Sequence, residues 1–333
     1  MSYKNVWILG EQEDGRIKLV THELLKRGRA LADKRQVELV AVMLGEKIDR
    51  ADLQKLFYYG ADKVIVVENP GLRHFLPEPY VNTIFNLIKK YEPEIMIASA
   101  TTTGRTVMPA LAVKCPTGLT ADCTELDIDP ESGNLIQTRP AIGGNILATI
   151  KTPMHRPQMA TVRPHSNKPL DPDPSRSGEI VYETVDNSLL KSRIRRLEFR
   201  KNTEEGANIQ DAEIIIAGGK GFKKTENFQM VHDVANLLKG AVGASRDAVD
   251  LGWATYPQQI GLSGKTVSPK FYLAVAISGS VQHLAGIKTA ENIVAINSDP
   301  DAQIFQVANY GIVADLFEAM PLLIEKLKNR LKP

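Results

Sequence analysis

The 333-residue chain contains only two cysteines, Cys115 and Cys123, and 6% aromatic residues. Two cysteines make no disulfide framework. With no second Cys or His pair at ligand spacing, they make no zinc site either. The net charge of +2 leaves no electrostatic case for nucleic acid. No apolar run approaches the roughly 20 residues of a membrane span. No catalytic triad, paired-carboxylate site or metal cluster stands out, and His22, His74, His155, His165 and His232 are scattered without ligand spacing. The N-terminus has a short apolar run followed at once by acids. It reads as a first β-strand and not as a signal peptide. With no transit segment visible, the expected location is the cytoplasm of a bacterium or archaeon.

What is present is an ordinary globular composition, 43% hydrophobic and 24% charged. A single core rarely grows past roughly 250–300 residues, so the length suggests two domains. Apolar runs at 6–9, 37–44, 63–67 and 94–98 read as strands. Helical spacing appears at 18–32, 52–59 and 80–90 between them. This alternation predicts a parallel sheet covered on both faces. In the turn Ser99-Ala100-Thr101-Thr102-Thr103-Gly104-Arg105 after the fourth strand, either Thr103 or a neighbour caps a helix ending near Lys114, or the turn offers backbone N–H groups to an anion.

From Thr120 the pattern changes. An alternating run at 121–128, a turn at 129–133 and a return at 135–139 predict a hairpin. Further strands follow at 146–150, interrupted by Gly143, Gly144 and Asn145, and at 158–163. The first domain is therefore expected as a parallel sheet with antiparallel additions at its end. A proline-rich connector at 165–177 and a short strand at 179–183 precede a stretch rich in Lys191, Arg193, Arg195, Arg196, Arg200 and Lys201. That stretch is a solvated linker or pairs with an acidic partner or substrate phosphates. The expected division is 1–205, including the linker 165–205, and 206–333.

The second domain opens with a strand at 213–217 and Gly218-Gly219-Lys220-Gly221. A glycine-rich turn after a buried strand lets backbone N–H groups approach phosphate. The spacing matches neither the dinucleotide fingerprint nor a P-loop. A helix at 226–238 and a strand at 242–246 follow. From Val242 to Asp315, short apolar runs alternate with polar clusters, as at the strand ends of a doubly wound α/β domain. Arg246 is a cation that cannot deprotonate, or a surface partner of Asp247 or Asp250. His283 can donate a hydrogen bond, and its charge can follow a redox state. Ser263 beside Gly264 allows close backbone approach. Ser278, Ser280 and Gln282 offer polar groups. Asn297 suits ribose or pyrophosphate, or an Asx turn with Asp299-Pro300. Asp315 is a helix N-cap that can also bind a hydroxyl. The stretch 322–331 is amphipathic.

Those residues sit in a specific context. GGKGFK at Gly218, GASRDAVDLGW at Gly243, QIGLSGKTVSPKFYLAVAISGSVQHLAGIK from Gln259, AINSDPDAQIF at Ala295 and YGIVADLFE at Tyr310 follow in order. This C-terminal third resembles the α subunit of electron transfer flavoproteins, and the preceding part looks like that family's first domain. The resemblance implies an FAD-binding C-terminal domain with one FAD. It also implies a β subunit carrying a second FAD or AMP, and a carrier of electrons without a substrate-transforming site of its own. It places Arg246 by the isoalloxazine and Ser263, next to Gly264, near flavin N5. Ser278, Gly279, Ser280, Val281, Gln282 and His283 become the loop that wraps the flavin, with His283 at the pyrimidine edge. Ser245, the turn Gln259, Ile260, Gly261 and Leu262, Asn297, and Asp315 with Leu316 become nucleotide-side contacts. Lys220 stands where many members have arginine, which keeps the charge but loses bidentate phosphate geometry.

The segments TGLTADCTELDID at Thr117, QTRPAIGGNILATI at Gln137 and HRPQMATVRP at His155 look like the electron-bifurcating branch of that family. That branch implies NADH oxidation through the β subunit, an acyl-CoA dehydrogenase-type flavoenzyme as partner, and ferredoxin or flavodoxin as low-potential acceptor. The first domain would then serve chiefly to dock the β subunit. The competing classes are a non-bifurcating carrier fed by acyl-CoA dehydrogenases, an NAD-dependent enzyme on a related fold, and a nucleotide-sensing scaffold.

Overall fold

The computed structural model describes residues 3–140, 147–198, 209–210 and 212–330. The chain divides into two compact units, Met1–Phe199 and Arg200–Pro333. The expected division at 205/206 lies outside the described residues, as do Gly143, Gly144, Asn145, Arg200 and Lys201.

The first unit begins with β1 (Lys4–Leu9), a two-residue ladder of β2 (Gln12–Glu13) and β3 (Arg16–Ile17), and α1 (Leu19–Arg35). It continues through β4 (Leu39–Gly45), α2 (Arg50–Tyr58), β5 (Lys63–Glu68), α3 (Pro77–Tyr91), β6 (Pro93–Ser99) and α4 (Thr102–Lys114). Then come β7 (Leu119–Cys123), β8 (Glu125–Ile128), β9 (Leu135–Pro140), β10 (Leu147–Ile150), β11 (Gln158–Val162) and β12 (Glu179–Glu183). The main sheet has the order β12-β5-β4-β1-β6-β11-β7 and every neighbouring pair is parallel. Its central strands are buried along their whole length because helices cover both faces. Ile8, Met43, Val66 and Ile97 meet Leu24 and Leu25 of α1 and Phe57 of α2 on one face. Trp7, Val42, Ile65 and Met96 meet Ile84 of α3 and Met108 of α4 on the other.

The expected antiparallel additions differ in place. The strands at 119–123 and 158–162 belong to the parallel sheet itself, and β12 joins its opposite edge beside β5. The antiparallel part is a separate sheet of order β10-β9-β8. The alternating run at 121–128 is broken in two because Asp122 takes a left-handed conformation, φ 61°, where the β7–β11 register shifts. Arg163 holds that kink by donating from Nε to Asp122 Oδ1 at 3.2 Å. Beyond the break β8 pairs with β9 as a hairpin, and Gly133, at φ 68°, makes the turn.

The second unit carries β13 (Ile214–Gly218), α5 (Gln229–Leu238), β14 (Ala241–Ala244), α6 (Arg246–Asp250), β15 (Phe271–Val275), α7 (Val281–Leu284), β16 (Asn292–Asn297), β17 (Tyr310–Val313) and α8 (Leu316–Arg330). Its sheet is wholly parallel, of order β14-β13-β15-β16-β17. One face packs on α5 and α8 through Ile216, Leu273, Val275, Val231, Val234 and Met320. The other face is covered by turns, through Ile260, Val267, Ile287 and Ile304.

Candidate functional site

Five parallel strands send five loops to one edge of the second sheet. In the order β14-β13-β15 the chain leaves β13 and β15 in opposite directions. That reversal is the switch point where open α/β sheets bind ligands. The loop starts are tied in a row. Ser245 N–H donates to Gly218 O at 3.0 Å, Gly219 N–H to Val275 O at 2.9 Å, and Ala276 N–H to Ile296 O at 2.8 Å. Asn297 Nδ2 donates to Ile277 O at 3.0 Å, and Ala314 N–H to Asn297 O at 3.1 Å.

Ala276, directly after the central strand, has φ 52°. This left-handed conformation costs an alanine about 1–2 kcal/mol, and the surrounding hydrogen bonds hold it. The consequence falls on the glycine-rich turn. A Cβ on Gly219 would lie 2.0 Å from Ala276 O, and one on Gly221 would lie 2.6 Å from Ala276 Cβ. These glycines are therefore required by the protein's own backbone, a reason separate from phosphate approach. The same holds for Gly264, whose Cβ would meet Gln259 O at 2.3 Å, in place of the free space expected for a ring.

The turn at 259–264 and the loop at 278–283 form one assembly. Leu262 N–H donates to Gln282 O at 2.8 Å, and Ile260 N–H to Ala244 O at 2.9 Å. Gln259 Nε2 donates to Ser263 Oγ at 3.0 Å. Gly261 has φ 138° and Gly279 has φ 82°. A Cβ on Gly279 would lie 2.2 Å from Ile304 N. Ser245, Arg246, Gln259 to Gly264, Ser278 to His283 and Asn297 are thus joined through backbone contacts at one edge.

The side chains divide into engaged and available groups. Asp315 Oδ1 accepts Phe317 N–H at 2.8 Å, so it caps α8. Asn297 Oδ1 accepts Asp299 N–H at 3.0 Å, an Asx turn. Ser245 Oγ caps α6, accepting from Ala248 N–H at 3.4 Å. Leu316 and Ile260 are core residues. Lys220, Ser278, Ser280, Val281 and Gln282 are exposed. Arg246 pairs with Asp250 at 3.4 Å, with both side chains exposed. Exposed pairs of this kind are weak, so the guanidinium can exchange Asp250 for a ligand.

His283 faces inward. Its Nε2 lies 2.9 Å from Tyr272 Oη. Burial pulls the imidazole down to about 4, and the nearby Ile260 backbone only partly opposes this. The ring is therefore neutral near pH 7 in this structure. Its Nδ1 is buried without a well-formed hydrogen bond. Tyr272 was not singled out in the sequence. The available signal was a tyrosine inside the apolar run FYLAV, since a buried phenol needs a partner.

The first sheet has its own switch point, between β1 and β6. There Thr101 caps α4 through Gly104 N–H at 3.2 Å and donates to Glu11 Oε1 at 2.5 Å. The turn that could have received an external anion thus faces a resident carboxyl. Burial raises the pKa of Glu11, partly offset by the Thr101 hydrogen bond. A cavity of about 590 Å³ adjoins it, lined by Leu9, Lys18, Leu44, Arg73 and Tyr80 among others. In the basic stretch Arg193 pairs within its own unit: its backbone N–H donates to Glu78 Oε2 and its Nε to Glu78 Oε1, each at 2.6 Å, and these contacts, the backbone one first, hold Glu78 down to about 2. Burial pushes Cys115 and Cys123 up to about 11 and about 12, so neither is a thiolate near neutrality. No group of His, Cys, Asp or Glu among the described residues is placed to hold a metal ion, and no described helix is long and apolar enough to cross a membrane.

A two-unit α/β protein with doubly wound parallel sheets and a polar carboxyl edge at a switch point is of the nucleotide-binding type. Comparison with known proteins narrows this. Residues 6–188 match the electron transfer flavoprotein domain, and residues 208–288 match the electron transfer flavoprotein FAD-binding domain. The chain is 46% identical over 326 residues to an electron transfer flavoprotein subunit alpha of Thermoanaerobacterium thermosaccharolyticum, covering 98% of each chain. It is 42% identical over 330 residues to the same subunit of Megasphaera elsdenii, covering 98% of this chain and 97% of the relative. It is 42% identical over 327 residues to Protein FixB of Clostridium saccharobutylicum, with 98% and 97% covered. The chain belongs to the electron transfer flavoprotein α-subunit family. Asn297, Asp315 and Leu316 lie beyond the matched FAD-binding range.

Proposed function

We propose that this chain is the α subunit of a heterodimer whose β subunit carries its own FAD, and that the second unit holds one FAD along its carboxyl edge. In this reading the FAD relays single electrons between the β-subunit flavin and an acyl-CoA dehydrogenase-type flavoenzyme. The larger reaction is NADH-driven bifurcation to ferredoxin or flavodoxin. The observation that carries the FAD placement is the joining of the 245–246, 259–264, 278–283 and 297 loops at the switch point of the sheet matched to the FAD-binding domain.

The residues present fit a flavin nucleotide in part. Lys220 and Arg246 supply exposed cations for phosphate or for the reduced ring, and Ser278 and Ser280 expose hydroxyls. His283 Nδ1 is an unpartnered buried polar atom beside the same loop. Asn297 and Asp315 each accept a backbone N–H through Oδ1, and Asn297 Nδ2 already donates one proton to Ile277 O, so contacts to a nucleotide would use the second Nδ2 proton, the other carboxylate oxygen or the main chain. Bound FAD supplies the one-electron chemistry. The protein's part is a fixed positive charge at Arg246 and a neutral polar edge. The bifurcating assignment rests on the segments at Thr117, Gln137 and His155.

The test is to produce the chain with its β subunit, count the flavin, and mix the complex with NADH, ferredoxin and an acyl-CoA dehydrogenase system. Two FAD per heterodimer and ferredoxin reduction that requires the second acceptor are expected. One FAD with one AMP, and no ferredoxin reduction, would make it a non-bifurcating carrier. A colourless complex would sink the flavin placement itself.

A further inference from the structure

Tyr272 and His283 form a buried contact that flavin binding does not by itself require. Tyr272 lies in the second position of β15 and is fully buried, with its neighbours paired to β13 and β16. His283 is held by its backbone, N–H to Ser280 O at 2.9 Å, at the end of the 278–283 loop. The phenol oxygen and Nε2 are 2.9 Å apart.

Both groups are uncharged near neutrality, because burial raises the phenol and lowers the imidazole. Two arrangements can fill the contact. In one, the phenol O–H donates to a bare Nε2, and the imidazole proton sits on Nδ1. In the other, Nε2–H donates to the phenol oxygen. Then the phenolic proton has no acceptor among the described residues, while Nδ1 lacks a hydrogen-bond partner in either arrangement, so the phenol decides between them. An unmet buried polar group costs about 1–3 kcal/mol, so the second arrangement is disfavoured.

We propose that Tyr272 is a positioning residue that fixes His283 as the Nδ1–H tautomer and pins the 278–283 loop to the sheet. The consequence for the flavin rests on the reading above, and the tautomer itself does not. Tyr272 is fully buried within the sheet. It acts through the ring that it orients, as an outer partner orients a histidine elsewhere.

The experiment is a long-range ¹H–¹⁵N correlation on the histidine-labelled complex with its β subunit, with and without Tyr272→Phe, alongside flavin midpoint potentials. Wild type is expected to show one pyrrole-like nitrogen, Nδ1, and one pyridine-like nitrogen, Nε2. Tyr272→Phe should average the two signals, and it should shift the flavin potential at unchanged flavin content. A wild-type spectrum with the proton on Nε2 overturns the proposal, and so does a variant spectrum identical to wild type. The wild-type spectrum decides the tautomer even if the variant does not fold. A tautomer change with an unmoved potential keeps the lock and removes His283 from the flavin's neighbourhood.

Discussion

The two parallel sheets reach their switch points by the same topology and treat them oppositely. In the first, a carboxyl from the β1 end turns into the protein and is held by the threonine that caps α4. In the second, the corresponding loops carry the exposed cations Lys220 and Arg246. Both edges need a glycine for the same steric reason. A Cβ on Gly104 would lie 1.8 Å from Ser99 O, and one on Gly219 would lie 2.0 Å from Ala276 O. Topology and glycine placement are therefore shared, and the difference lies at the loop starts, where the first edge holds a buried carboxyl on the capping threonine and the second carries exposed cations.

Breaking the shared part should have the largest effect. Gly219→Ala forces a side-chain carbon into a backbone carbonyl, and the cost expected is about 3 kcal/mol or more. Gly252, with φ 76°, has nothing within 4 Å of its missing Cβ. Gly252→Ala should cost only about 1 kcal/mol of backbone strain. Guanidinium unfolding of the complex, followed by circular dichroism, ranks the two. Equal losses would mean that the Ala276 carbonyl yields easily.

Breaking the difference in charge comes next. Arg246→Ala is expected to lower the one-electron potential of the flavin by about 60 mV, a tenfold change in the equilibrium. Spectroelectrochemistry of the complex measures it, and Lys18→Ala at the first sheet's edge should leave the same potential unmoved.

The smallest effect is expected at Glu11. Its folded pKa is raised, so the unfolded chain loses that proton first as pH rises. Stability should then fall as pH climbs from about 4.5 to the raised folded value. Glu11→Gln keeps a hydrogen-bonding group for Thr101, removes that slope, and should stabilise the protein near neutrality by about 1 kcal/mol. Denaturation midpoints across that range decide it. A slope that survives the substitution would mean that another group carries the proton.

Much of the fold was legible because buried parallel strands are written as continuous apolar runs. LVAVMLG at β4 and PEIMIAS at β6 admit little else. The cap at Asp315 was also within reach, and so was a cap in the threonine turn, though it falls on Thr101 and not on Thr103, since short polar side chains before apolar periodicity start helices. The run at 121–128 misled because alternation describes a strand but not which sheet takes it. One left-handed residue at Asp122 moved half of it elsewhere. At the site, residue types pointed to a polar strand-end cluster. They offered the Arg246–Asp250 pair and the Asn297 Asx turn only as alternatives, which the structure decides, and gave no sign that the histidine turns inward.

The sequence by itself determined the two α/β units, their parallel strands and the family, because these depend on local periodicity and ordered residue blocks. The tertiary structure decided which groups meet. Glu11 finds Thr101 across 90 residues, and Tyr272 finds His283 across 11. It also decided that His283 stays neutral, because the loss of water around the ring depends on the whole core closing over it.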